Sequence, residues 1–552
     1  MAIFYYKYKL VIYSILVFIC VSVVYNIKST PSFCGDSLPN KYLPISIIKN
    51  HNFQLDPFLE FSNKSYYLRK VNGHNYSLYP LGTSILVLPV YLTADLLHVD
   101  LIKNVDTIEK ISVTLLICIS CIFVFLSCEL ITNNSLLSLL MVFVYAFGTS
   151  SWSISSQTMF QQPANQLVNS IILFLLLKRN YSSFMLGLFA GFGFFIRPTN
   201  IIILIILCIY IFFNNRNNSM RRLLFIAGSS IFILVTVIYN ITVFNDFFGG
   251  YKALTVEFTF NEFFTRFFGL LISPNKGLLI FSPVLIFSII NLFVILNEQY
   301  KPVYILLYTV TCCYLIFYST YPNWFGGWSF GYRFLLDIMP FLVILLVPVV
   351  LKYIRKLIFL IFFMILLLYS VFVQIGGVFF DDGEWNVYPN IEFNQDRIWD
   401  WDDWVIPDVL GITSRKYSVR ALRDVQIPAG NNKFKQVKGF GFSYPEDWGV
   451  WAVGKESVII FNSTKKQVKL NMSATSFTKI GKSQYIEIFL NKQFVKKLCF
   501  TKPYWEFERF NVILNTNTGK QNELMFKYRF FKRPEYPDIR KISVAFKLIQ
   551  FF

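Results

Sequence analysis

The chain has 552 residues, of which 55% are hydrophobic, 19% aromatic and only 15% charged, and its mean hydropathy is +0.50. A soluble domain carries about 25% charged residues, so the bulk of this chain is not built for water. A net charge of +19 would point to nucleic acid on a soluble protein. Here it is the charge of cytoplasmic loops and of a Lys-rich tail facing anionic headgroups, so membrane lipids are expected as partners and nucleic acid is not.

Apolar runs of about 18 or more residues, each able to cross a hydrocarbon core of roughly 30 Å, recur along most of the chain. They are continuous rather than alternating, which predicts helices, whose backbone polar groups are satisfied internally. The first run, 10–25, follows Lys7 and Lys9, and no small-residue cleavage site comes after it. It is expected as a retained helix with a cytoplasmic N-terminus. The spans expected in order are 10–27, 108–130, 136–152, 163–177, 181–196, 199–213, 223–244, 280–296, 302–320, 334–351 and 357–379. A shorter apolar segment, 84–97, carries Pro89 and Asp95 and is expected to lie along the interface. Three basic clusters fix that count: Lys178-Arg179, Arg216 with Arg221-Arg222, and Lys352 with Arg355-Lys356. All three are cytoplasmic only if the eleven runs cross and 84–97 does not. The expected fold is mainly α, a polytopic transmembrane bundle of about eleven full spans plus an interfacial helix, in the cell membrane. Most of the nine cysteines lie inside apolar runs, where Cys behaves as a small hydrophobe, and no disulfide framework is expected.

This parity places the first long loop, 28–107, and the stretches 150–164, 196–200, 245–279, 321–333 and everything after 380 on the extracytoplasmic side. The first loop holds SFCGDSLPNKYLP (32–44), with Asp36 just past the first span, and also His51, Asp56, Glu60 and His74. The histidines lack a metal-ligand spacing, and His74 stands only as a substrate-contact candidate. Three cations stand at helix ends: Arg197 in FFIRPTN, Lys276 in SPNKG and Arg333 in GGWSFGYRF. Ionisable residues at a membrane boundary are functional candidates by default, and Arg and Lys are the phosphate-binding side chains. Snorkelling to headgroups is the alternative for each. Gly, Pro and Trp punctuate YPLGTS (79–84), SPNKGLLIFSP (273–283) and WFGGWSFG (324–331). Gly and Pro predict sharp turns, and Trp328 is either an interfacial anchor or a stacking surface for a sugar. A carboxylate, phosphate-binding cations and aromatic surfaces on one face suit a substrate with a lipid tail, a phosphate and a sugar.

One helix, a long outer loop with an early Asp, Y-P-x-G before a short amphipathic segment, a helix-flanked Arg-Pro, S-P-N-K-G-L-x-x-x-S-P and W-x-G-G-W-S-x-G-x-R-F follow one another over residues 1–380. This order resembles bacterial membrane proteins of the type-C glycosyltransferase superfamily, whose relatives include protein O-mannosyltransferases, aminoarabinose transferases and the catalytic subunit of oligosaccharyltransferases. The resemblance implies that Asp36 orients or deprotonates an acceptor hydroxyl, which attacks the anomeric carbon of a polyprenyl-phosphate-linked sugar with inversion. It also implies that Arg197, Lys276 and Arg333 meet the leaving phosphate. Many relatives carry a second acid in the next outer loop, sometimes as a metal ligand. Here that loop reads SSQTMFQQPANQ (155–166), without an acid. No metal or other cofactor is expected to be required, since amides are weak ligands for hard cations, and Gln161 or Gln162 is expected to hydrogen-bond sugar or acceptor. The acceptor is a glycan, lipid or protein of the cell envelope. A transporter or flippase of lipid-linked glycans, or a non-catalytic scaffold, are the competing functions. The absence of a clear internal repeat favours the enzyme.

Residues 381–429 read as an acidic, Trp-rich connector. From 430 to 552 short alternating runs separated by turn residues (ESVIIFN, KQVKLNMSA, QYIEIFLN, FERFNVILN, ISVAFKLIQF) predict an extracytoplasmic β-sandwich-like domain. Two of its stretches, 439–454 and 537–549, resemble a β-sandwich module found at the ends of some envelope glycan enzymes. That module is expected to carry Arg where Val450 stands, so Trp448 and Trp451 are read as core at least as readily as a sugar pocket.

Overall fold

The structure, a computed structural model, describes residues 2–551 apart from 33, 59–65, 179, 215–217, 254–257, 295–299, 382, 388–390, 393, 411, 413–437, 443–449, 464, 478–483, 503–505, 520 and 531–541. Glu60, Arg179, Arg216 and Trp448 lie outside the described residues, as do most of the 381–429 connector's second half and the start of 537–549. The chain divides into two compact units, residues 1–381 with 396–400, and residues 382–395 with 401–552.

The first unit is helical. Its α-helices are α1 (Ala2–Tyr25), α2 (Ser37–Asn50), α3 (Gly82–Leu96), α4 (Val105–Thr132), α5 (Ser135–Phe147), α6 (Gln161–Leu177), α7 (Ser183–Ile196), α8 (Ile201–Asn214), α9 (Ser219–Phe244), α10 (Phe263–Ile272), α11 (Leu278–Phe281), α12 (Ile286–Ile290), α13 (Lys301–Ser319), α14 (Met339–Tyr353) and α15 (Leu357–Ile375). A two-stranded hairpin, β1 (Leu68–Val71) with β2 (His74–Ser77), lies in the first loop. Among the described residues, six segments of this unit are long and apolar enough to cross a membrane: Tyr8–Tyr25, Val105–Thr132, Ser219–Phe244, Lys301–Ser319, Arg333–Tyr353 and Leu357–Phe380. Shorter apolar helices stand beside them, the architecture of a multi-pass membrane protein. α3 has 15 residues, about 22 Å at 1.5 Å per residue, which is less than the hydrocarbon core. Its Asp95 pairs with Lys49 of α2 at 2.6 Å.

Two expected spans are not continuous helices. The run 136–152 is helical only to Phe147, where α5 ends, and after a break over 148–150 it resumes as a π-helical turn, Ser151–Ser155. The run 280–296 is broken into α11, a 3-10 turn Pro283–Leu285, α12 and a second 3-10 turn Asn291–Phe293. Pro283 supplies no backbone N–H and keeps Ser282 out of the helical conformation, at φ −142° and ψ 66°, so α11 does not run on into α12. α7 and α9 pack backbone to backbone. A Cβ at Gly187 or Gly191 would collide with the backbone of Phe225 or Ser229, and one at Gly228 with that of Phe184, so only hydrogen fits between the two axes.

The second unit is a pair of antiparallel sheets. It contains α16 (Glu384–Val387), α17 (Val405–Val409), β3 (Lys438–Phe440), β4 (Val450–Val453), β5 (Glu456–Asn462), β6 (Gln467–Ser476), β7 (Tyr485–Leu490), β8 (Gln493–Cys499), β9 (Glu508–Asn515), β10 (Gln521–Tyr528) and β11 (Ile542–Phe551). One sheet runs β3-β5-β10-β7-β8 and the other β4-β11-β6-β9. Alternate residues of both point to a shared core, including Ile459, Ile486 and Phe526 from one and Leu470, Val512 and Phe546 from the other. This is the β-sandwich that the alternating runs predict. Trp451 is buried against Val453, Ile542 and Ala545, and Val450 is fully buried, so both are core side chains.

Candidate active site

Asp36 immediately precedes α2, yet its carboxylate does not cap the helix. It turns instead to three donors from separate parts of the chain. Oδ2 lies 2.6 Å from Nη2 of Arg333. Oδ1 accepts hydrogen bonds from the hydroxyls of Tyr66 at 2.9 Å and Tyr79 at 2.7 Å. Gly35 makes room for this, since a Cβ there would fall 2.7 Å from the Tyr66 hydroxyl oxygen, where no real Cβ sits.

Arg333 opens the 3-10 turn Arg333–Ile338 that leads into α14. Its guanidinium lies 3.7 Å over the ring of Phe160, a stacking contact that fixes the plane of the fork. Its Nε is buried without a hydrogen-bond partner among the described residues. Phe160 directly precedes α6, and no side chain caps that helix. Gln161, the first residue of α6, accepts from the Tyr251 hydroxyl through Oε1 at 3.3 Å. The Tyr251 ring packs edge-on against Tyr79 at 6.3 Å, which closes the circle back to Asp36. The Gln161 Nε2 and both amide atoms of Gln162 are buried and unpartnered among the described residues. The structure thus brings together Asp36, Arg333 and Gln161 from distant parts of the sequence.

Arg197 and Lys276 are held differently. Arg197 caps the end of α7 and is buried, with Nη1 2.5 Å from Asp337 Oδ2. Asp337 accepts a second bond from Asn165 at 3.2 Å, and the Arg197 guanidinium sits near the faces of Tyr318 and Phe334, 5.9 and 5.4 Å from the ring centroids. Lys276 is buried and donates to the carbonyl oxygens of Gly327, at 3.0 Å, and Ser329, at 2.5 Å. It therefore ties the S-P-N-K-G turn to the Gly-rich turn that delivers Arg333. His74, on β2, meets Asp56 at 3.1 Å, and Trp328 is 44% exposed. Among the described residues neither is hydrogen-bonded to the Asp36 network.

A second set of contacts fixes where Asp36 stands. Lys41, five positions along from it, is buried with its Nζ 2.7 Å from Asp106 and 3.1 Å from Glu109 of α4. Glu109 in turn accepts from the Met159 N–H at 2.8 Å. Asn40 donates to the Met159 carbonyl at 2.9 Å, Ser32 N–H to Gln157 at 2.8 Å, and the Thr158 hydroxyl to Ser32 at 2.8 Å. The segment bearing Asp36 is stitched along 157–159, next to the ring on which Arg333 rests.

The electrostatics follow from these contacts. Burial pushes the Asp36 carboxyl up, but the Arg333 charge and the hydrogen bonds from Tyr79, Arg333 and Tyr66 outweigh it and hold it below the usual carboxylate range. Burial, and then the Asp36 charge, push the Tyr66 and Tyr79 phenols up, so both stay protonated donors. Burial pulls the Lys276 ammonium down to about 7; Asp381 opposes this, while Arg397 and Arg333 add to it. Among the described residues, no three His, Cys, Asp or Glu side chains converge where they could hold a metal ion. Two cavities of about 400 Å³ lie along other residues, one lined by Lys49, Asp95 and His98, the other by Leu292, Tyr308 and Cys312. Neither includes a residue of the Asp36 network.

No family model and no curated protein matches the chain. Among solved structures, it is similar to the crystal structure of ArnT from Cupriavidus metallidurans in the apo state, with 12% identity, 75% of each chain covered and a TM-score of 0.41. A likeness at that level assigns neither family nor reaction.

Tyr66, Tyr79, Tyr251, Phe160, Asp337 and the Lys41–Glu109 pair are not singled out by sequence reasoning. Tyr79 had a signal, since it opens Y-P-x-G. Asp337 had one too: an acid inside an apolar run, four residues after Arg333, is an intramembrane ionisable group.

Proposed function

We propose that the helical unit is a membrane glycosyltransferase. It transfers a sugar from a polyprenyl-phosphate-linked donor to an envelope acceptor, a glycan, lipid or protein, on the extracytoplasmic face. The observation that carries this reading is the Asp36–Arg333 pair with its two phenol donors, partly open and set in a bundle of apolar helices. A carboxylate beside a guanidinium provides an acceptor for a hydroxyl proton next to a cation for a leaving phosphate.

The step is one displacement. The acceptor oxygen bonds to the anomeric carbon, and the bond from that carbon to the phosphate oxygen breaks. The electron pair leaves on the phosphate, and the hydroxyl proton passes to Oδ2 of Asp36. A carboxylate of depressed pKa is a weak base towards a resting hydroxyl. It becomes an adequate one late in the reaction, when bond formation has made the acceptor oxygen acidic. Arg333 meets the charge that develops on the phosphate. Arg197, through its pair with Asp337, and Lys276, through the Gly327 and Ser329 carbonyls, hold the turns that present Arg333. Gln161 and Gln162 contact the sugar or the phosphate, and no metal is required. One displacement inverts the anomeric centre.

The test is incubation of the purified protein in detergent with radiolabelled polyprenyl-phosphate hexoses and pentoses and an envelope lipid and glycan extract. The reading expects a covalent product with inverted anomeric configuration. Translocation of the lipid-linked sugar in proteoliposomes without any transfer would contradict it.

A further inference from the structure

The Asp36–Arg333 contact leaves the site closed on itself. Its two carboxylate oxygens are used unequally. Oδ1 is held by Tyr66 and Tyr79, whereas Oδ2 meets Arg333. Losing Arg333 would leave the carboxylate anchored, with one oxygen free. Arg333 and the two glutamines that follow Phe160, the ring it stacks on, carry more unpartnered donors than acceptors, three nitrogens against the one Oε1 of Gln162. Among the described residues, the Nε of Arg333 and the Nε2 atoms of Gln161 and Gln162 are buried without a partner, and buried donors without acceptors are costly. They lie about the uncapped first turn of α6, whose N–H groups favour negative charge. One carboxylate oxygen cannot satisfy this set, whereas a phosphate with several oxygens can.

We infer that Asp36 occupies the anion site of Arg333 as an internal stand-in, and that the phosphate of a lipid-linked donor displaces it. Oδ2 is then free for the acceptor hydroxyl, while the tyrosines keep Oδ1 in place. This rests on the glycosyltransferase reading and adds an order to it: the donor binds first, and its binding exposes the base. It makes the base unavailable when no sugar is there to receive. It also sets Asp36 against the donor, because every donor bound must first break an internal ion pair, and the apparent affinity is lowered by the fraction of protein in the open state.

The test is a double-mutant cycle on binding. The probe is a polyprenyl monophosphate in detergent micelles at one fixed pH, with the matching polyprenol and phosphatidylglycerol as comparisons. Wild type, Asp36→Asn, Arg333→Met and the double variant are titrated, and a thermal melt checks that each is folded. Asp36→Ala stands in if the Asn variant is not. Asp36→Asn is expected to bind at least about fivefold tighter than wild type, the low end of ordinary coupling between sites. Arg333→Met is expected to bind about tenfold weaker, and the double variant like Arg333→Met alone. Binding by Asp36→Asn that is unchanged or weaker overturns the inference and leaves the donor reading standing. So does a tightening that persists without Arg333, which would be a general effect of charge. A wild type that binds the polyprenol or phosphatidylglycerol as well as the polyprenyl phosphate overturns the donor reading itself, and the inference with it.

Discussion

Two aspartate–arginine pairs in the helical unit have nearly the same contact distance and different surroundings. Arg197–Asp337 has side chains 9% and 0% exposed, and Arg333–Asp36 has 13% and 18%. Around the first, Asn165 fills a further acceptor position on Asp337, and two aromatic rings flank the guanidinium. Around the second, donors are left over on Arg333, Gln161 and Gln162. The first pair is finished, and its role is to hold α7 to the turn that starts at Arg333. The second pair is held firmly, with unused donors on Arg333 and the neighbouring glutamines among the described residues. The two are linked, since Arg333 and Asp337 stand on one turn, so the closed pair fixes the position of the open one. Contact distance does not separate the two pairs; an unpartnered buried guanidinium nitrogen, present on Arg333 and not on Arg197 among the described residues, does.

The comparison predicts opposite consequences for activity and stability. Arg333→Lys keeps the charge but loses the fork and its stacking on Phe160. Transfer is expected to fall about 10²-fold, with little change in the thermal melt. Transfer by this variant within a few-fold of wild type would break the distinction between the pairs. Asp337→Ala leaves Arg197 buried and unpaired, and its cost should be about 3–5 kcal/mol of stability, read by denaturant unfolding in detergent. A smaller loss for Asp337→Ala than for Asp36→Ala would reverse the assignment.

Glu109→Gln sharpens the comparison by loosening the Lys41 brace without touching either pair. A displacement of Asp36 by a fraction of an ångström is expected to lower kcat about tenfold and leave the donor KM within about twofold. Equal changes in both would make the brace merely structural. The smallest effect is on pH. Lys276 titrates at about 7 in the fold against 10.5 ordinarily. Between those values the unfolded chain holds a proton that the folded chain has lost, so stability rises with pH across that window. Lys276→Met is expected to flatten the rise, and a slope that survives the substitution would assign it to another group.

The helical bundle, the sandwich and the candidacy of Asp36 were legible because each rests on local pattern: unbroken apolar runs, alternation, and an acid just past a span. The break at Pro283 was written in the S-P pair but hidden by the apolar residues on both sides. Strands β8 and β10 carry Gln, Lys and Glu among their apolar residues, and so showed no clean alternation. What pairs with what could not be read from the sequence. Arg197, Lys276 and Arg333 look alike as cations at helix ends. Only long-range contacts give the first to Asp337, the second to two carbonyls and the third to Asp36. Tyr66 and Tyr79 become partners of Asp36 because the first loop folds back over it, which no spacing announces.

Under the proposed function the Asp36 carboxylate receives the acceptor proton. The most direct test compares wild type with Asp36→Asn for glycan transfer, in cells lacking the gene and at matched protein level. A fall of about 10²–10⁴-fold, the usual contribution of a positioned base, is the predicted result. Transfer undiminished by the substitution would contradict the account and remove Asp36 from the reacting atoms.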